Sequence, residues 1–465
     1  MNTRKLFLLL CTVVIISSCT ITRAIKYGNA AVDDYTVFEQ DIVHNSTHRF
    51  NFKPKSETTT LDTLKFEVYR AKIDTTLHLT ISQLMDYFTD VPSAAIIIQD
   101  DNIIFEHYSG GWSRESQSCI FSVTKTITSM LCGIAIKDGY IKSVDDYVVD
   151  YIPELKSDDK RFSELKIEHL LDMTAGLKFD ENYSLNPFTK MAKLYMGNNS
   201  LKTLKSLKFS HNPGENFSYD SATTAILGIV IERATGKPYA EYLSEKVWQP
   251  LGMESDAMIG LDDKRNRVAK SYAGLTTNIR DLAKVGRLFL NNGNWDGKQI
   301  IDSTYIARCL FPNAAGIKGK AQGRYSYSWY WGFTDSYYTH NIFPSKDELK
   351  EYYKQHPEVY MVSSTPCSDG YKTVEQHSRR YFDSIENLKE YYASHPDKKV
   401  FQIYQNRAGY YAILHNGGYW AYGLYGQVLY INPEKRFIGV FLGADRLKEF
   451  TGVFDAICNG RTTIM

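Results

Sequence analysis

The sequence predicts an α+β fold in which an antiparallel sheet is flanked by helices and a second region is mostly helical. Three observations lead to this prediction. Short apolar, β-branched runs lie between residues 93 and 108, helical periodicity dominates from about 147 to 290, and strand patterns return between 427 and 442. The order of strands, helices and strands indicates a sheet that draws on both ends of the chain.

The composition limits the class of protein. A chain of 465 residues fits one large domain with additions, or two domains. Its hydrophobic share of 43% is ample for a core, and 54 Lys and Arg balance 53 Asp and Glu. Because this balance provides no overall basic field for a polyanion, nucleic acid is not expected as a partner.

The first residues predict export. Arg4 and Lys5 precede the apolar run 6–16, which is too short to span a bilayer, since spanning takes about 20 residues, but suits the core of a signal peptide. The small residues before Cys19 resemble a bacterial lipobox, so residues 1–19 are predicted to be a lipoprotein signal peptide with Cys19 lipidated. The protein would then be exported and anchored to a membrane, on the periplasmic or cell-surface side. In the alternative, the signal peptide is an ordinary one and Cys19 is incidental.

The remaining chain divides into a tether with an N-terminal extension at 20–85, and a main domain at 86–460. Once Cys11 is removed and Cys19 is lipidated, five cysteines remain, an odd number without metal-ligand spacing: Cys119, Cys132, Cys309, Cys367 and Cys458. We therefore expect no disulfide framework, no structural zinc and no cofactor.

The elements of the main domain follow in order. Ser93–Asp100 and Ile103–Tyr108 predict a hairpin, and an apolar helix follows up to Gly139. Near the C-terminus, two strands flank a turn at residues 432–435, and the segment 447–457 predicts a helix on the sheet. Between them, residues 335–407 form a predicted insertion in which LKEYY occurs twice, each time followed by His-Pro. Two similar helix-turn units are expected there, as a lid over the site or as surface decoration.

The chemistry centres on Ser122 and Lys125. The spacing S-x-x-K occurs three times, but the pairs at Ser157 and Ser163 lie in polar loops, whereas Ser122 opens the most apolar helix. Residues three apart share a helix face, so the lysine can reach the serine hydroxyl. Burial and the helix dipole would lower the lysine pKa and make it a base. The alternative is a capping serine beside a surface charge.

Further motifs are similar to those of the serine β-lactamase-related family, over roughly residues 90 to 445 apart from the insertion. This family includes class C β-lactamases, DD-peptidases, family VIII carboxylesterases and aminohexanoate-oligomer hydrolases. The motifs of the last group are the most similar to those of this sequence. The motifs are FSVTK, LLDMTAGL at 170–177, FSYDS at 217–221, PLGM at 250–253 and YGLYGQVLYINPEKRFIGVFLG at 422–443. The resemblance implies a β-lactamase/transpeptidase-like fold.

The resemblance also implies roles for single residues. Ser122 would be the acylated nucleophile, Lys125 its base, and Tyr219 the group that relays the proton to the leaving group, as phenol or phenolate. The third motif departs from Lys-Thr-Gly, and Gly423 is preferred over His415-Asn416-Gly417, which is then expected to be a hairpin turn. The N–H groups of Ser122 and Leu424 would bind the oxyanion.

Other residues are expected to shape the pocket: Gly423 and Tyr425 on one wall, and Asp180, Glu181 and Tyr183 on the opposite wall, as rim residues rather than catalytic ones. The prediction is a serine hydrolase that cleaves a small-molecule ester or amide through an acyl-enzyme on Ser122. Without the lysine of the third motif, β-lactams and D-alanyl termini are less favoured substrates. The alternative is a penicillin-binding or β-lactam-sensing protein, or a DD-peptidase, that acylates without efficient turnover.

Overall fold

The structure is a computed structural model. It describes residues 19–464 with the exception of thirteen short segments, and the predicted signal-peptide core at 6–16 lies outside the described residues. The excepted segments are 55–59, 71–74, 89–90, 185, 311–324, 335–336, 357–358, 368–369, 378–379, 396–399, 407–408, 445–449 and 461–462.

The central sheet combines strands from both ends of the chain, as the sequence predicts. The predicted hairpin forms strands Ser93–Gln99 and Asn102–Ser109, and Phe437–Gly443 pairs antiparallel with the first of them. The sheet order is Tyr325–Ser326, Trp329–Thr334, Gly409–Tyr422, Val428–Asn432, Phe437–Gly443, Ser93–Gln99, Asn102–Ser109 and Lys53–Pro54, with Val400–Asn406 also paired to Gly409–Tyr422.

Helices cover both faces of this sheet, and two glycines permit the close approach. A Cβ on Gly286, in the helix Ile279–Leu290, would lie 3.0 Å from the Ile438 side chain, and one on Gly439 would lie 2.5 Å from the Phe454 ring. Phe454 belongs to the helix Phe450–Cys458, so the predicted C-terminal helix on the sheet is confirmed. The sheet is therefore the middle of three layers, with a hydrophobic core on each face.

The region predicted to be helical contains most of the remaining helices. A small four-stranded sheet accompanies them. That sheet has the order Gln40–Val43, Ala257–Gly260, Leu275–Thr277 and Ser118–Cys119. The helices of this region and its borders are Val123–Lys137, Val148–Tyr151, Arg161–Glu164, Ile167–Leu171, Lys190–Tyr195, Ser200–Lys205, Ser221–Thr235, Tyr239–Leu243, Ile279–Leu290 and Ser303–Leu310.

The segment expected to be a tether begins with residues that pack on the main domain. Cys19–Tyr27 is a helix, and Arg23 on it donates hydrogen bonds to the carbonyl groups of Met196, Gly197 and Asp262 at 3.4, 3.2 and 2.9 Å. The following residues are held as well, since Cys119 N–H donates to the Val32 carbonyl at 2.8 Å. The remaining elements before residue 90 are Thr60–Thr63, Phe66–Arg70, Thr75–Leu79 and Ile81–Phe88. None of the described helices has the length and apolar character that crossing a membrane requires.

The insertion is not a pair of helix-turn units, because strands separate its two helices. At the C-terminal end of each helix a histidine ring stacks on a tyrosine ring. His356 stacks on Tyr352 with ring centroids 4.2 Å apart, and His395 stacks on Tyr391 with ring centroids 4.1 Å apart. The repeated unit, 39 residues apart in sequence, therefore includes strands, and its period-two pattern was hidden by polar and tyrosine residues. Its elements are Tyr337–Phe343, Lys346–Gln355, Val359–Cys367, Gly370–His377, Ile385–Ala393 and Val400–Asn406.

The hairpin turn expected at His415–Gly418 is also wrong. These residues lie inside the 14-residue strand Gly409–Tyr422. The pairing shifts from Trp331 with Tyr419 to Phe333 with His415, so the extra residues form a β-bulge. Gly417 supplies the left-handed backbone there with φ of 78°. The Asn-Gly signal thus marks an irregular strand rather than a chain reversal.

Candidate active site

Ser122 sits where the small sheet meets the helix Val123–Lys137. The strand Ser118–Cys119 leads into Phe121, whose φ of 43° is left-handed, and Ser122 follows as the N-terminal cap residue. The Ser122 side chain makes no capping hydrogen bond to the helix. The interpretation of Ser122 as a simple cap is therefore not supported, and its hydroxyl faces the cleft and Lys125.

Lys125 lies one turn further along this helix and is buried, with 1% of its surface exposed. Its Nζ lies 3.0 Å from Ser122 Oγ, 3.1 Å from Ser221 Oγ and 3.0 Å from the carbonyl oxygen of Tyr272. Burial lowers the pKa of Lys125 to about 8, although the negative charges of Glu181 and Asp220 oppose this change. A surface charge at this position is excluded, and the amine can lose its proton near neutral pH.

Tyr219 stands over the same amine. Its ring centroid is 5.0 Å from Lys125 Nζ, and its hydroxyl is hydrogen-bonded to Ser122. Desolvation raises the pKa of Tyr219 above its usual value, and the charge of Glu181 adds to this effect. Of the two forms considered from the sequence, the structure therefore favours the phenol, which can donate a proton to a leaving group.

Two further residues join the hydrogen bonds around Lys125, a role that was not predicted from the sequence for either of them. Glu181, expected at the rim, accepts hydrogen bonds from Ser221 N–H at 2.7 Å and from Ser221 Oγ at 2.6 Å. Ser221 in turn accepts a hydrogen bond from Lys125. The place of Ser221 in the motif Tyr219-Asp220-Ser221 could have indicated it, but the irregular loop around Glu181 carries no such signal.

The expected oxyanion donors lie in a strained part of the fold. Ser122 and Leu424 line the same cleft, and each has a left-handed neighbour, Phe121 and Tyr425, with φ of 43° and 61°. The rings of these neighbours pack together with centroids 5.6 Å apart. Non-glycine residues in this conformation cost about 1 to 3 kcal/mol each and concentrate at functional sites.

Gly423 permits this arrangement because it has no side chain. A Cβ at position 423 would lie 2.4 Å from the Ile120 carbonyl oxygen, whereas one on Gly417 would meet Asn432. The structure thus places Gly423, and not Gly417, against the chain that leads to the nucleophile. A side chain at position 423 would push the turn that begins with Leu424 away from the residues before Ser122.

The cleft in front of Ser122 has an empty volume of about 810 Å³, part of which is open to solvent. Tyr183 and Tyr425 line it as expected, and Tyr183 donates a hydrogen bond to Glu181 at 2.5 Å. Asp180 is exposed outside the lining. The described lining includes no lysine or arginine and consists of Ala24, Gly28, Asn29, Ala30, Phe121, Ser122, Asn182, Tyr183, Ser184, Met191, Ala192, Tyr195, Met196, Ser221, Ala273, Leu424 and Tyr425.

Within the described residues no group of three or more His, Cys, Asp or Glu is placed to hold a metal ion. Cys119, Cys132, Cys309 and Cys458 are unpaired thiols in buried positions.

A serine, a buried lysine and a tyrosine at one end of a sheet covered by helices define the class of β-lactamase-like serine proteins. The chain belongs to the β-lactamase family, whose sequence profile matches residues 81–453. The chain is 26% identical over 228 residues to the 6-aminohexanoate-dimer hydrolase of Paenarthrobacter ureafaciens, and 26% identical over 224 residues to esterase EstB of Burkholderia gladioli. These matches cover 47% and 44% of this chain, and the chain spans 56% of the length of either relative.

Solved structures agree on the fold. A Bacillus anthracis protein, provisionally assigned as a 6-aminohexanoate-dimer hydrolase, superposes with a TM-score of 0.57 at 20% identity, over 88% of this chain and 86% of its own. A Bacteroides dorei protein, provisionally assigned as a β-lactamase, gives 0.51 at 16% identity, over 78% and 88%. The predicted β-lactamase/transpeptidase-like α+β fold is confirmed.

Replacing Glu181 by Gln should shift the pH dependence of kcat/KM. The carboxylate stabilises the charged form of Lys125, so its removal lowers the lysine pKa, and the pH of half-maximal kcat/KM should fall below that of the wild type. The measurement is kcat/KM for a p-nitrophenyl ester across pH 5 to 10. Asp180→Asn is the matched control, because it removes the same charge outside the cleft and should leave the profile unchanged. Identical profiles for all three proteins would contradict the assignment of Glu181.

Replacing Gly423 by Ala should disable the oxyanion site without unfolding the protein. The new Cβ must push the turn away from Ile120, which displaces the Leu424 N–H, so kcat/KM should fall by about 10² to 10³. Gly260→Ala serves as the control, since a Cβ there finds its nearest atom at an ordinary 3.5 Å. Wild-type kcat/KM in the Gly423 variant would rule out this placement of the donor.

Proposed function

We propose that the protein is a serine hydrolase that cleaves an ester or amide bond through an acyl-enzyme on Ser122. The observation that carries this proposal is the buried Lys125 amine, 3.0 Å from the Ser122 hydroxyl and with its pKa lowered to about 8. The names of the two relatives, a 6-aminohexanoate-dimer hydrolase and an esterase, support the same class of reaction.

The contacts suggest the following sequence of steps. The substrate carbonyl binds between the N–H groups of Ser122 and Leu424, and neutral Lys125 accepts the Ser122 proton as Oγ bonds to the carbonyl carbon. The tetrahedral intermediate collapses when the bond to the leaving group breaks, and the Tyr219 phenol donates a proton to that group and is reprotonated from Lys125. Water then attacks the acyl-serine, which releases the acid and returns the proton to Ser122.

The walls of the cleft favour a neutral substrate with an apolar acyl or alcohol group. Most of the lining is alanine, methionine and aromatic side chains, and the described lining offers no cation to hold a substrate carboxylate. A β-lactam or a D-alanyl terminus carries such a carboxylate. The geometry therefore supports an esterase or amidase over a DD-peptidase or a β-lactam sensor.

We also propose that Cys19 carries a lipid and that the protein is exported and held at a membrane. The support is the sequence pattern of residues 4–19. Cys19 is the first residue of the helix Cys19–Tyr27, so the chain that follows it is helical rather than a long extended tether.

Replacing Ser122 by Ala should remove turnover of p-nitrophenyl esters, lowering kcat by about 10⁴ or more, because the nucleophile is lost. Ser157→Ala, in an exposed S-x-x-K pair, should keep wild-type turnover. Intact-mass spectrometry should detect a transient acyl adduct in the wild type and none in the Ser122 variant. A permanent adduct in the wild type would instead identify a sensor, and full activity of the Ser122 variant would refute the mechanism.

Replacing Cys19 by Ser should release the protein from membranes, since the attachment point of the acyl chains is gone. The measurement is fractionation of producing cells together with the mass of the N-terminal peptide. Cys11→Ser should leave both unchanged. An acyl mass on the Cys19→Ser protein would show that the lipid is attached to another residue and would contradict the assignment of Cys19.

A further inference from the structure

The most exposed large apolar side chains of the described residues lie beside the mouth of the cleft. Ile25 is 78% exposed and Phe188 is 66% exposed, and the next in order are Ile42 at 50% and Tyr183 at 48%. Ile25 lies between Ala24 and Gly28, which line the cleft, and Phe188 precedes the helix Lys190–Tyr195, which supplies three lining residues. Large apolar groups that remain exposed around a cleft indicate an interaction surface.

The same two segments are basic and contain no acidic residue. Residues 184–214 include Lys190, Lys193 and three further lysines without any Asp or Glu, and residues 19–32 include Arg23 and Lys26, again without one. Within the described part of the chain, Lys26, Lys190 and Lys193 form no ion pair with a carboxylate, and Lys190 Nζ instead donates a hydrogen bond to Ser206 Oγ at 2.6 Å. This local charge differs sharply from the balance of the whole protein, which has a formal net charge of +1.

We propose that this mouth face, formed by Ile25, Lys26, Tyr183, Phe188, Lys190 and Lys193, binds an anionic lipid bilayer. The hydrolysed substrate is then an amphiphilic ester or amide that resides in that bilayer, an inference that rests on the proposed function. Apolar side chains surrounded by lysines match the two layers of a bilayer surface, since the apolar groups enter the acyl boundary and the lysines are attracted to the anionic headgroups.

The position of the cleft fits this orientation. Its walls are mainly apolar, and both the helix Cys19–Tyr27 and the helix Lys190–Tyr195 contribute lining residues. Arg23 connects the two, because it donates hydrogen bonds to the Met196 and Gly197 carbonyl groups directly after the second helix. A substrate tail could pass from the bilayer to Ser122 along alanine and methionine side chains. Cys19 is six residues before Ile25, about 9 Å along the helix axis, so a lipid on it would keep this helix close to the membrane, although the proposed bilayer contacts do not require that lipid.

The test compares two variants of the chain that begin at residue 19 and carry Cys19→Ala, so that neither an acyl group nor the apolar run 6–16 contributes. In each variant two further substitutions change the formal charge by about −3. The mouth variant is Ile25→Glu with Lys193→Glu, and the control is Ile42→Glu with Lys298→Glu, which makes the same charge change at exposed positions outside the lining. Two substrates are used: p-nitrophenyl acetate in solution, and p-nitrophenyl laurate in vesicles of one part phosphatidylglycerol to three parts phosphatidylcholine. Flotation measures binding to the same vesicles, and heparin retention measures binding to a soluble polyanion.

We expect the mouth variant to bind vesicles and to hydrolyse the vesicle substrate about tenfold more weakly than the control, with equal turnover of p-nitrophenyl acetate. In 0.5 M NaCl the difference should shrink, because salt screens the lysines.

Equal vesicle binding by both variants would overturn the inference and leave the proposed function intact. Loss of heparin retention without loss of vesicle binding would overturn it in favour of a soluble polyanion. Failure of the unsubstituted protein to hydrolyse either ester would overturn the proposed function, while flotation would still decide whether this face binds lipid.

Discussion

The exclusion of water from the Lys125 amine is the constraint on which the site depends. In water this amine would keep its proton to a pH of about 10.4 and could not accept one from a serine. The fold surrounds it with the helix it belongs to, the start of the helix Ser221–Thr235 and the Tyr272 carbonyl, and the desolvation outweighs two nearby carboxylates. The neighbours of Lys125 either exclude water from the amine, which lowers its pKa, or carry a negative charge, which raises its pKa by a smaller amount.

Glu181 and Ser221 show how the opposing charge is controlled. Glu181 does not contact Lys125 directly, because the Ser221 hydroxyl lies between them and hydrogen-bonds to both. The carboxylate therefore fixes the direction of the Ser221 hydroxyl and stabilises the ammonium only through space. This arrangement allows Lys125 to be charged in the resting site and neutral when it acts, since the two forms differ little in free energy near its lowered pKa.

Much of this site could be predicted from the sequence, because its residues lie in short motifs. Ser122 and Lys125 stood out since their pair opens an apolar helix, and Tyr219 was identified by its motif. Glu181 was assigned to the rim because nothing local to a loop indicates which way a carboxylate turns. The strands of the insertion were missed because polar and tyrosine residues hide their period-two pattern. The β-bulge at Gly417 was missed because its Asn-Gly signal favours a turn, and pairing with the neighbouring strand overrides that signal.

The lowered pKa of Lys125 can be tested through the rate at which a fluorophosphonate reacts with Ser122 as a function of pH. The rate is measured by intact mass at short times from pH 6 to 11, under conditions in which circular dichroism shows the fold to be unchanged. Our account predicts a rise that levels off with an apparent pKa of about 8, since only the neutral amine activates the serine. A rate that continues to rise through pH 10, as expected for a lysine in water, would contradict it.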